Sequence, residues 1–223
     1  MSGVTVHHGT TGRPRLAIRA GLLDEGGDLI DALTPYVDWV PGPAADGCLH
    51  EEDVRRLRDP APREAFLERV FAHARLRTLL EGDWLPRDLV AFHARHKMQL
   101  LAHDPVLYRE AGRVVAAAGT RPRGEVAAEY TAVFQRALAA PVTVGRNVNV
   151  LQHCLGMLGL DPARRAQALR AIDAYQAGRV PLGEAAASLR RHATGESGGY
   201  VRDQTYFAPF PDGLRGDLSP GRR

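Results

Sequence analysis

PRDLVAFHARHKMQLLAHDP, residues 86–105, is the stretch on which the fold turns. Pro86 and Asp88 sit where a helix opens, because proline lacks the N–H that a first turn leaves unbonded and a carboxylate suits the positive end of the helix dipole. Asp104 and Pro105 then close this helix and start the next, Asp104 as cap and Pro105 as first helical residue. The punctuation predicts a helix over residues 86–103, a tight corner, and a third helix running to about Gly119.

Upstream, Phe66, Val70, Phe71 and Leu76 to Leu80 recur at three- and four-residue steps from Pro62 onward, a helical period that Gly82-Asp83 breaks. Downstream, Gly, Pro and Asp separate four further helical segments, residues 123–139, 142–158, 162–177 and 181–192. The last thirty residues mix aromatics with Gly and Pro, and are expected to pack as an extended tail that frays near Gly216. Residues 1–47 are rich in Gly, Pro, Thr and Asp around an apolar run, Leu16 to Leu23, and read as a small α/β fragment or docking arm. The expected fold is mainly α: a bundle of about six to seven helices behind a short, degenerate α/β N-terminal fragment. Its divisions are 1–47 (arm), 48–83 (connecting helix), 84–215 (helical domain) and 216–223 (disordered tail).

Composition narrows the function classes. A 44% apolar and 25% charged chain of 223 residues folds, and no apolar run approaches the roughly 20 residues of a membrane span. Without a signal-peptide pattern the expected compartment is the cytoplasm, with no membrane partner. Cys48 and Cys154 are the only cysteines, too few for a disulfide scaffold or a thiolate-only zinc site. A formal charge of +3 leans toward an anionic partner. Every basic residue is arginine except Lys97, a position either kept for its ammonium or spared by chance from a bias toward arginine.

At about 100° per residue, His93, His96, Leu100 and His103 share a stripe with Leu89, and Lys97 lies beside it. Polar groups thus occupy a face that should be core. One inward histidine is usually a hydrogen-bonded core residue; three with a lysine point to a pocket, since an unpaired buried ammonium is costly. Arg113 on the next helix, and Arg146, Asn147, Asn149, Gln152 and His153 on a later one, supply arginine forks and amides of the kind that hold phosphate and read base edges. Arg95 adds another phosphate contact. A metal reading rests on the His93/His96 spacing with His103 or His153, and is opposed by Lys97 and by the lack of a carboxylate on the stripe. Nucleophilic use of Cys154 is disfavoured, because His153 points about 100° away from it.

Phe92 to Lys97, Ala102 to Pro105 with Tyr108 and Gly112-Arg113, Asn149 to His153 with Gly156, Gly178 to Leu182, Leu189 to His192, and Tyr200 to Tyr206 with Pro209 to Pro211 form an ordered series of motifs. In that order they resemble the YbgA-like family, whose domain follows a thiouridine desulfidase domain in many polypeptides. The match spans residues 84–215 and brings Tyr108 and Tyr206 into the candidate site. Upstream, residues 16–23, 33–41 and 57–71 resemble a desulfidase domain whose middle is missing. Where that family carries its first two cluster-binding cysteines, this chain has Gly21 and Pro43, and the segment with the third is absent. Three thiolates hold the four-iron four-sulfur cluster of those relatives, so the resemblance implies no cofactor and no cluster-dependent desulfuration by this chain alone. It implies instead a non-catalytic accessory protein that holds RNA, expected to be transfer RNA, or a nucleotide, and that works beside a separate desulfidase subunit. The alternative is a small-molecule enzyme of sulfur or nucleoside metabolism using His93, His96, His103 and Lys97 as acid-base groups, with or without a metal ion.

Overall fold

A computed structural model describes residues 12–18, 27–40, 42–50 and 55–215 of the chain. The chain divides into two compact units, residues 1–83 with 209–223, and residues 84–208. Positions 19–26, which include Gly21, and the tail 216–223 lie outside the described residues.

The first unit holds strand β1 (Arg15–Ile18), helix α1 (Gly27–Leu33), strand β2 (Asp38–Trp39), strand β3 (Gly47–Leu49) and the long helix α2 (Pro60–Glu81). The three strands are parallel in the order β2-β1-β3, with Leu16 opposite both Trp39 and Gly47. Parallel neighbours need a crossover, and α1 provides the one between β1 and β2. The sheet is short, yet it has a core: Leu16, Leu33, Val37 and Leu49 bury against Phe66, Leu67 and Val70 of α2. Phe210 and Leu214 complete that core, so residues 209–215, expected with the helical domain, belong to this unit. Asp46 fastens β3 to α2, accepting from the Arg15 main chain at 2.7 Å and from Arg77 at 2.9 Å.

The second unit contains seven helices among the described residues: α3 (Pro86–His103), α4 (Pro105–Ala116), α5 (Arg123–Ala139), α6 (Val144–Met157), α7 (Pro162–Gln176), α8 (Leu182–His192) and α9 (Gly195–Arg202). Mainly α with a small N-terminal sheet is thus the observed class. Asp104 caps as its place in the sequence predicts, and carboxylates at two other helix starts also accept from free N–H groups. The Asp88 carboxylate accepts from the Leu85 N–H at 2.7 Å, Asp104 from Val106 at 2.7 Å and Leu107 at 3.0 Å, and Asp161 from Arg164 at 2.9 Å.

Helix α3 is the axis of this unit, packing on α4 and α5 with one side and on α6 with another. Met98 and Ala102 face the core built from Leu151, Cys154, Leu155, Ile172 and Leu189. Phe92 and His96 face an aromatic cluster with Tyr130 and Phe134. The stretch expected as an extended tail is helix α9 followed by a 3-10 turn at Thr205–Phe207. Its glycines signal close approach rather than extension: a Cβ on Gly198 would lie 2.4 Å from the Ala193 carbonyl carbon, so only glycine lets α9 fold back onto the end of α8.

Candidate functional site

Along α3 and into α4, Lys97, Leu101 and Pro105 follow at four-residue steps; along α6, Arg146, Asn149, Val150 and His153 share one face. Together these seven residues line a recess of about 310 Å³ in the second unit. The two helices run in opposite directions there. The Arg146 guanidinium donates to the carbonyl oxygen of His103 at the end of α3, whereas Lys97, farther back, acts on Cys154 at the other end of α6. Arg146 and Lys97 therefore mark opposite ends of a groove whose length, from the helical rise between Arg146 and His153, is about 10 Å. Leu101, Pro105 and Val150 form an apolar floor between them.

Among the described residues no carboxylate lines the recess, and Lys97 makes no ion pair. Arg146 is held in place by its bonds to His103 and, at 3.4 Å, to the Pro141 oxygen. Asp104 stands near Arg146, and its carboxyl is held below the usual range by the Leu107 and Val106 N–H groups and then by Arg146 and Arg109. The surrounding unit is cationic too. Residues 84–208 carry 16 Lys and Arg against 10 Asp and Glu, whereas the rest of the chain carries 13 against 16. The positive charge seen in the whole sequence is thus concentrated on the unit that bears the groove.

The histidine stripe has a different destination. His93 is buried, with Nδ1 3.1 Å from the Tyr130 hydroxyl and its ring stacked at 5.1 Å on Tyr108. Burial, and then the nearby Lys97 ammonium, push its pKa down to about 4, so the ring is neutral at pH 7. His96 stacks on Phe92 at 4.0 Å and shares Nδ1 with the Phe92 carbonyl oxygen at 2.8 Å; His103 does the same with the Ala140 oxygen at 2.7 Å. A carbonyl only accepts, so in both rings Nδ1 carries the proton. These imidazoles complete the packing of α3 on α4 and α5, and they do not line the recess.

The other sequence candidates divide in the same way. Asn149 and His153 line the groove beside Lys97 and Arg146. Asn147 is 4% exposed, donating to the Tyr175 hydroxyl at 2.8 Å and accepting from that of Tyr206 at 2.9 Å, so Asn147 and Tyr206 form an internal clamp. Arg95, Arg113 and Gln152 are exposed outside the recess lining, and Tyr108 is half-buried under His93. Cys154 is fully buried and its thiol is pushed up to about 12 by burial, only partly offset by Lys97. Among the described residues no three His, Cys, Asp or Glu side chains come together as a metal-binding group.

Sequence reasoning missed the device that fixes the position of Lys97. The buried Gln204 side chain donates to the Ala94 oxygen at 3.0 Å and accepts from the Met98 N–H at 3.3 Å, bracketing the turn that contains Lys97. Thr205 Oγ1 adds a bond to the Arg95 oxygen at 3.1 Å and one to the buried Gln99 at 3.0 Å. The available signal was Asp203-Gln204-Thr205, polar residues between two tyrosines.

Residues 97–211 match DUF1722, a family described as a protein of unknown function. The chain belongs to this family. The matched region begins at Lys97 and takes in every residue of the recess as well as Gln204 and Thr205. No curated protein and no solved structure matches the chain. Within the DUF1722 region, the groove between α3 and α6 is where cationic, amide and apolar groups converge on open space. No described helix is long and apolar enough to cross a membrane.

Proposed function

We propose that the DUF1722 unit of this chain binds RNA, with transfer RNA the expected ligand, through the groove between α3 and α6. The observation that carries this reading is the pair of cations, Lys97 and Arg146, at the ends of an apolar-floored groove that no described acidic side chain lines. Fixed positive charge with an open approach selects phosphate, and an apolar floor accepts a base or ribose face. The recess volume of about 310 Å³ lies at the small end of ligand sites and suits a nucleotide-sized group. Its length of about 10 Å covers some three steps of a stacked strand at about 3.4 Å each. Asn149, with a donor and an acceptor on one amide, is the residue suited to a base edge.

We further infer that the chain is a YbgA-like member of the family, with a first unit reduced from a desulfidase domain. Parallel strands in the order β2-β1-β3 against one long helix support a remnant of an α/β domain. The two cysteines fall one in each unit, Cys48 on β3 and Cys154 in α6, short of the three thiolates a cluster of that kind requires. In this reading the chain presents RNA to a separate desulfidase and performs no chemistry by itself. Fluorescence anisotropy with labelled transfer RNA tests it: micromolar or tighter binding that weakens steeply with salt is expected. Salt-insensitive binding, or none at micromolar protein, overturns it.

A further inference from the structure

Beyond the Lys97 end of the groove lies a group that the groove itself does not use. Tyr200, on α9, is 42% exposed, and it is the one aromatic among the exposed large hydrophobic side chains of the described residues. Its place is fixed by the same bracket that fixes Lys97. Gln204 Nε2, bonded to the Ala94 oxygen of α3, also reaches the Tyr200 main-chain oxygen at 3.4 Å. The Tyr200 hydroxyl is pushed above the ordinary tyrosine range by burial first, and then by Tyr108 and Cys154 beside it. Ala94 lies about one turn of α3 before Lys97, on the side away from Leu101 and Pro105. Tyr200 thus stands about one turn of α3 behind Lys97, on a helix that packs against α6, with its side chain partly open to solvent.

A partly exposed aromatic about one helical turn from a lysine, in a cationic unit, has a use in RNA recognition that it lacks in packing. Unpaired bases stack on such rings, whereas the bases of a duplex are already stacked on one another and withhold their faces. We propose that Tyr200 is a stacking platform continuing the groove past Lys97, so that the site takes single-stranded rather than duplex RNA. This inference rests on the reading of the groove as an RNA site and specifies which form of RNA it takes. The strand lies with phosphates at Arg146 and Lys97, and the nucleotide beyond Lys97 places its base on Tyr200.

The test uses the full chain and a fluorescein-labelled RNA heptamer, free or annealed to its complement, with Tyr200→Ala, Tyr200→Phe and Lys97→Ala variants. The free heptamer is expected to bind more tightly than the duplex. Tyr200→Ala should weaken the free heptamer about 5- to 100-fold, the range of one base-aromatic stack, without changing the dependence on salt, and Tyr200→Phe should retain the affinity. Equal affinity for single strand and duplex, wild-type affinity in Tyr200→Ala, or a Phe variant as weak as the Ala variant overturns the platform. In those cases a loss in Lys97→Ala still upholds the groove, whereas failure of every RNA to bind the wild-type chain overturns both.

Discussion

The neutral, buried imidazole of His93 gives the fold a pH dependence whose size follows from its surroundings. In the unfolded chain the ring titrates near 6.5; in the folded chain burial and Lys97 lower that to about 4. Between those values the unfolded state binds a proton that the folded state refuses, so the His93 contribution to stability is complete above pH 6.5 and is lost as the pH falls toward 4. For pKa values of 6.5 and about 4, moving from pH 7 to pH 5 costs about 2 kcal/mol from this residue. His93→Asn keeps a polar atom near the position of Nδ1, facing the Tyr130 hydroxyl, and does not titrate.

Urea unfolding at pH 7 and pH 5 then isolates the effect. The wild-type chain should lose about 2 kcal/mol more stability than His93→Asn over that interval, and the His93 Cε1 proton should titrate near pH 4 by NMR. Equal losses in the two proteins, or a His93 titration near 6.5, would refute the claim that this ring is sealed between Tyr108 and Tyr130.

Other consequences follow from single contacts. Asn147→Ala leaves the Tyr175 and Tyr206 hydroxyls without their shared partner and should cost about 2–3 kcal/mol, read as a lower thermal midpoint by roughly 4–12 °C. Gly178 closes α7 at φ 69°, with Arg179 N–H bonded to the Ala174 oxygen, so Gly178→Ala should destabilise by about 1–2 kcal/mol in the same melt. Because Cys154 is fully buried and its thiol is raised to about 12, it should resist iodoacetamide at pH 8 until urea unfolds the chain, as mass spectrometry of its tryptic peptide would show.

The helices were legible because their ends are written in side chains. Pro86 with Asp88, Asp104-Pro105 and Asp161-Pro162 each satisfy free N–H groups or spare one, and these signals act over three residues without reference to tertiary structure. The groove was legible in part: Lys97 stands out as the sole lysine, and Arg146, Asn149 and His153 as a run of guanidinium, amide and imidazole side chains. Which way each member of the stripe on α3 points was not legible, because α3 is covered on more than one side. Periodicity gives an angle about the helix axis, but the identity of the neighbour at that angle is a tertiary fact. Phe134 and Tyr130, on α5, draw in His96 and His93, whereas α6 leaves open space at Lys97. Glycines in α9 misled for a related reason, since close approach to Ala193 and chain extension place the same residue in the sequence.

The decisive experiment is the affinity for transfer RNA of the wild-type chain, Lys97→Ala and Arg146→Ala at 50, 100 and 200 mM salt. If the groove holds phosphates at both ends, each variant should bind about 10- to 100-fold more weakly and show a salt slope shallower by nearly one unit. Wild-type affinity and slope in both variants would place the RNA elsewhere, and the groove between α3 and α6 would lose its assigned role.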